Sequence, residues 1–220
     1  MENMIPYLHK RQAMAVAREY GFSKETAGIL GQSAQWTDWH RWNKCIPNAA
    51  TPSTTEYGEP TDPKLASQAT SAQLKEYIAQ IQHSPSSERL VWLGFAIHLI
   101  QDLAVHQGMT NEEHAVRTLS LFFNPDWNLR DYARARKLLR RFMDALHQKI
   151  GDEAFDELRQ SAGARPLNNS EREKLLGPTD FSLRSAVFGF MQKVFEYIFA
   201  KPERRRVRWD LDAVLSEGLR

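Results

Sequence analysis

An all-α fold in a single multi-helix domain is what this sequence predicts, and three observations predict it. Apolar residues recur at spacings of three and four along most of the chain, no set of segments alternates as half-buried strands would, and helix-start and helix-stop residues punctuate the periodic stretches. The composition, 42% hydrophobic and 25% charged over 220 residues, suits one ordinary hydrophobic core.

The elements follow in order. From Tyr7 to Tyr20 the residues His9, Ala13, Val16 and Tyr20 share one face, so His9 lies on the inner stripe, and Gly21 supplies a stop. Ser23 is the N-cap of a second helix in which Ala27, Leu30, Ala34 and Asp38 repeat at helical spacing, so Asp38 is expected to face inward near its C-terminal end. Residues 43–63, "NKCIPNAATPSTTEYGEPTDP", lack apolar periodicity and read as a long loop. A helix from about Leu65 to Gln82 presents Leu74, Ile78 and Ile81. Pro85 sits near the first turn of a central helix that Gly108 ends, and Thr110 with Glu113 forms a capping box for a helix to about Phe123.

Leu129 to Ile150 is a basic amphipathic helix with Tyr132, Leu139, Phe142, Leu146 and Ile150 on its apolar side. Asp152 to Gln160 reads as a short helix, "GARPLNNS" as a second loop, and Asp180 as the cap of a Phe-rich helix to Ala200. Residues 201–220 form a basic C-terminal extension, a connector followed by a short helix.

Net charge is only +2, which argues against a dedicated nucleic-acid binder, and the single cysteine, Cys45, excludes intrachain disulfides and Cys-rich zinc sites. The start of the chain lacks a basic segment, apolar core and small-residue cleavage site, so a cytoplasmic location is expected. The longest apolar run, Leu90 to Val105, is shorter than the roughly 20 residues a membrane span needs and contains Asp102, so no transmembrane helix is expected.

Chemistry concentrates in "WLGFAIHLIQDLAVHQGMTNEEH", residues 92–114, where polar side chains interrupt an apolar run. His98, Asp102 and His106 are spaced by four and fall within about 80° of helical arc, giving one polar seam. Buried polar groups need partners, which here are one another, another side chain or a metal ion. A hydrogen-bonded core network satisfies them as a metal does. Imidazole nitrogen and carboxylate oxygen suit zinc and other first-row metals better than calcium or magnesium. His114, close behind Gly108, is a further ligand candidate or a solvent-facing helix residue. Glu-x-x-His pairs, adjacent His-Asp and His-Glu-x-x-His signatures are missing.

With these residues assembled, the sequence resembles the zinc-dependent phospholipase C and P1/S1 nuclease superfamily over roughly Tyr7 to Ala115. The matching elements are "YLHKRQAMAVAREYGF", "AGILGQSAQWTD" and, most specifically, "LGFAIHLIQDLAVH". The resemblance implies the multi-helix fold of that superfamily, with His9, Asp38, His98, Asp102 and His106 as metal ligands and Asp38 as bridging carboxylate or general base. It also implies hydrolysis of a phosphoester or phosphodiester by a metal-activated water. The superfamily places a His and an acidic residue one turn apart on a later helix, whereas Thr118 follows His114 and Gly151 follows His147 here, so one or two zinc ions are expected. Phospholipid, nucleotide, nucleic acid and small phosphoesters all remain open as substrates.

The alternative reading is a non-catalytic helical interaction protein in which the His/Asp cluster is a structural metal site or a hydrogen-bond network. His147, with Asp144 three residues before it, reads as a buried structural histidine, and His40 as a residue of the site's mouth or of the surface. Trp36, Trp39 and Trp42 read as a core and loop-anchoring cluster or as rings that stack on a base or grip an acyl chain. The Phe-rich helix, with Phe181, Phe188, Phe190, Phe195 and Phe199, offers core packing, a homo-oligomer interface or lipid contact.

Overall fold

The computed structural model describes residues 4–39, 63–106, 129–161, 164–176, 191, 198 and 210–220; of Asp38 and His106 it describes the backbone only. The described elements are α1 (Met4–Glu19), α2 (Lys24–Trp39), α3 (Pro63–His83), α4 (Ser86–His106), α5 (Leu129–Ile150), α6 (Asp152–Gln160), α7 (Asn169–Leu176) and α8 (Leu211–Leu219). Among the described residues no strand occurs, as the periodicity predicts. Of the expected loop at 43–63 only Pro63 is described, and it already opens α3; the helix from Thr110 to Phe123 and most of the Phe-rich helix lie outside the described residues. Met191 and Ile198 of that segment are helical and exposed. None of the described helices is long and apolar enough to cross a membrane.

Local chemistry sets the boundaries. At the end of α1 the Phe22 amide donates to the Ala17 carbonyl at 3.2 Å and the Gly21 amide to the Arg18 carbonyl at 3.2 Å. This six-to-one and five-to-two pair closes the helix, with Gly21 at φ +84°, where a side chain is strained. Ser23 then caps α2, its Oγ accepting from the Thr26 amide at 3.1 Å.

One boundary departs from expectation. The stretch read as a loop through Ser170 already turns into α7 at Asn169. Asn168 Oδ1 accepts from the Glu171 amide at 2.9 Å while Glu171 Oε2 accepts from the Asn168 amide at 2.9 Å, a reciprocal capping box. Arg165 reinforces it, and this ion pair followed by the Asn168 amide holds the Glu171 carboxyl down at about 2.

Helix α4 is the axis of the molecule. Leu90, Val91, Leu93, Phe95, Ile97, Ile100 and Leu103 are all buried, which takes in every face of the helix. It is covered by α1, α2, α3 and α5, and α8 closes the far side of α3 with Val214 and Leu215.

The approach of α4 to α2 is close. A Cβ at Gly94 would lie 2.4 Å from the Ser33 Cβ and 2.8 Å from the Leu30 carbonyl oxygen, whereas one at Gly28 would meet nothing within 4 Å. Overpacking against backbone costs about 1–3 kcal/mol, and alanine's helix preference returns about 1 kcal/mol. Gly94→Ala is therefore expected to lower the unfolding midpoint and Gly28→Ala to raise it in parallel thermal melts.

The Gly94 contact also fixes register. Arg89 of α4 bonds Glu157 of α6 at 3.2 Å, and Arg159 of α6 reaches the Tyr20 carbonyl at 3.5 Å in the α1–α2 turn. The start of α4 and the α1–α2 turn thus share one end of the bundle, so α4 runs parallel to α2 and antiparallel to α1. Counting forward from Ser33 and Gly94 at about 1.5 Å per residue, position 38 of α2 falls level with positions 98–102 of α4.

At the end of α1, Glu19 pairs with Arg136 and, at 2.7 Å, with Arg140 of α5. Arg140 first and Arg136 second pull the Glu19 carboxyl below its ordinary value of 4.5. A depressed carboxyl contributes stability that is fully present above its unfolded value and is lost as pH falls through the folded one. Half-exposed arginines are screened, so Glu19→Gln is expected to cost only about 0.5–1 kcal/mol near neutrality. Urea unfolding at pH 7 and pH 3 checks this: the difference from the wild type should shrink in acid.

Candidate metal centre

Two helices supply the described part of the site. His9 stands on the second turn of α1, and His98 and Asp102 stand one turn apart on α4. Their antiparallel packing brings the three side chains to one end of the bundle. His98 is 3% and Asp102 4% exposed, with His9 on the more open side.

Asp102 is the common partner. Its Oδ2 lies 3.2 Å from His98 Nε2 and its Oδ1 lies 3.5 Å from His9 Nε2. The two imidazoles tilt over one another with centroids 4.3 Å apart. One donor atom from each residue falls within 4.8 Å of the others, the one metal-sized group of His, Cys, Asp or Glu among the described residues. Zinc bonds of about 2.0–2.1 Å at tetrahedral angles separate neighbouring ligand atoms by roughly 3.3 Å. The two carboxylate–imidazole contacts run to different oxygens of Asp102, and with one ligand atom from each residue within 4.8 Å of the others the group is compact enough to close on a first-row divalent ion.

Of the sequence-predicted ligands, the structure brings together His9, His98 and Asp102. Asp38 belongs to the last turn of α2, at the level of the triad, and His106 is the last residue of α4. The side chains of both lie outside the described residues, as do the whole of His114 and of His40.

His147 needs a correction. It pairs with Asp152, Nε2 to Oδ1 at 2.8 Å, rather than with Asp144, and it is partly exposed rather than buried. Its ring stacks on Phe155 with centroids 4.2 Å apart, while Asp144 accepts from the Tyr20 hydroxyl at 2.6 Å. Burial, then this bond to Asp144, pushes the Tyr20 phenol up. Trp36 takes the expected core position, with the Arg172 guanidinium 5.4 Å from its ring centroid.

Sequence reasoning missed Gln101 and Gln12, both buried. The Gln101 side chain faces His9 Nδ1 at 2.9 Å through Oε1, and its Nε2 donates to the His9 carbonyl and to Gln12 Oε1, each at 3.1 Å. Gln12 Nε2 donates to the Tyr132 carbonyl at 2.8 Å. The only hint in the sequence is a glutamine inside the apolar run "HLIQDL", beside Asp102.

The chain matches no protein-family model, no curated protein and no solved structure. Its functional reading rests on its own residues.

Proposed function

We propose that this protein is a metal-dependent hydrolase of a phosphoester or phosphodiester, with His9, His98 and Asp102 holding a first-row divalent ion, zinc by preference. The observation that supports the metal is the group of His9, His98 and Asp102, two nitrogens and a carboxylate with one ligand atom from each within 4.8 Å of the others, at a largely buried end of the bundle. Three protein ligands are the number found in catalytic zinc sites, which keep a fourth position for water or substrate.

When bound, such an ion activates a water and offsets the charge on a phosphoryl oxygen. The chain's own residues do the rest. Asp102 would offset part of the ion's charge with its carboxylate, and His98 and His9 would supply nitrogen donors. Asp38, level with them on α2, is the residue this reading assigns as general base or further carboxylate ligand. Apolar α4 neighbours such as Ile97 and Leu103 keep bulk water from the inner side, leaving the His9 side for entry.

The test is zinc content of the full chain purified without chelator, followed by hydrolysis of bis-nitrophenyl phosphate, nucleotides and phosphatidylcholine dispersions. About one zinc per described triad and turnover abolished by chelator are expected. A chain that takes up no transition metal sinks the proposal.

A second reading draws on a specific observation: the triad continues through Gln101 and Gln12 to the Tyr132 carbonyl, joining α1, α4 and α5. On this reading the protein is a non-catalytic interaction protein stapled by that cluster. It requires metal uptake, or none, without turnover on any of these substrates.

A further inference from the structure

We infer that Gln101 is a positioning residue for His9, holding its imidazole with the proton on Nδ1 so that the Nε2 lone pair faces Asp102. The functional consequence rests on the metal-site reading; the tautomer itself rests on hydrogen-bond geometry alone.

Which end of a buried amide is nitrogen follows from partners that cannot exchange roles. Two such partners are present here, both main-chain carbonyls, which only accept. The first is the His9 carbonyl, 3.1 Å from one end of the Gln101 amide. That end must be the NH₂. Its second hydrogen goes to Gln12 Oε1, also at 3.1 Å, and Gln12 has its own polarity set by the Tyr132 carbonyl at 2.8 Å.

With both of its hydrogens spent, the Gln101 amide turns its oxygen towards His9 Nδ1 at 2.9 Å. An oxygen there accepts, so Nδ1 carries the proton. Reversing the Gln101 amide would set oxygen against the His9 carbonyl, and reversing Gln12 as well would only move the conflict to Tyr132. The main chain of α1 and α5 thereby dictates the tautomer of a ring on α1, through the Gln101 and Gln12 amides.

The consequence appears on the other edge of the ring. In the neutral imidazole Nε2 is an acceptor, and it faces the Asp102 Oδ1, another acceptor, at 3.5 Å. Either a proton or a metal ion placed between these two acceptors satisfies both. Metal ligation by His requires this free Nε2, and the outer hydrogen bond to the opposite nitrogen is the usual device for securing it.

The experiment is a long-range ¹H–¹⁵N correlation spectrum of the full chain carrying ¹⁵N-histidine, metal-free and at alkaline pH, with His9 assigned from a His9→Asn control. A competition titration with zinc accompanies it. The wild type is expected to show the Nδ1–H tautomer at His9. Gln101→Met should give mixed tautomers and zinc binding weaker by about 10–100-fold.

A wild-type His9 with its proton on Nε2 overturns the inference, and so does a Gln101→Met protein with unchanged tautomer and affinity. Should Gln101→Met not fold, Gln12→Met removes one of the two anchors of the Gln101 amide and is read in the same way beside the wild-type spectrum. A wild type that takes up no zinc removes the metal reading, while the tautomer is still decided by the spectrum.

Discussion

Asp102→Ala is expected to abolish tight zinc binding and to lower stability by about 3–5 kcal/mol, the cost of breaking one partner out of a buried charged cluster. Asp102 is 4% exposed and faces both imidazoles, so its removal leaves the two rings without their common anion and opens space on α4. For a chain of this length that loss corresponds to a fall in the melting midpoint of roughly 6–20 °C.

The informative companion is the double substitution His98→Leu with Asp102→Leu. Replacing buried polar partners together by apolar residues of similar size is often close to neutral. The double variant is therefore expected to recover much of the stability and none of the metal binding. Calorimetric melts of the two proteins with zinc titrations decide it. If the double variant melts as low as Asp102→Ala, the cluster contributes to stability through contacts beyond this pair.

The second large effect lies at the other end of the bundle. Phe155→Ala is expected to cost about 3–5 kcal/mol, as truncation of a fully buried Phe does. The ring meets Phe22 edge-on at 5.8 Å and Tyr20 at 6.4 Å, stacks on His147 at 4.2 Å, and carries the Arg159 guanidinium 5.7 Å from its centroid. It is the wedge that joins the α1–α2 turn to the α5–α6 corner. Phe155→Leu keeps most of the volume and should cost much less. Urea unfolding measures both, and a loss below about 1 kcal/mol for the alanine variant contradicts this role.

The helices that carry the site were legible because burial writes itself into spacing. Ala13 and Val16 beside His9, and Leu99 and Leu103 beside His98 and Asp102, mark inner faces at a period of 3.6, and polar residues on those faces stand out. That His9 would meet the α4 pair rather than another inward residue was not written in any spacing. It follows from the antiparallel path of α1, which the Gly21 turn and the Gly94 contact set between them.

Gln101 and Gln12 were illegible for a related reason. A lone buried amide has no periodic signature, and its meaning lies in a carbonyl 92 positions away. His147 went to the wrong partner because the Asp144 spacing is ideal for a helical pair. Phe155 instead draws the ring across the corner to Asp152, and Tyr20 claims Asp144. The start of α7 was missed because in "NNSE" an asparagine plays the capping part that serine or threonine more often takes.

The placement of Arg89 and Asp102 at opposite ends of α4 separates two concerns. Thirteen residues at about 1.5 Å each put roughly 20 Å between the Arg89–Glu157 bond and the triad. Substitutions that far apart, without shared partners, combine additively. Stability gained around α2 and α6, for example through Gly28→Ala, therefore becomes a reserve on which the His9, His98 and Asp102 end can be rebuilt for another ion or substrate without the fold failing first.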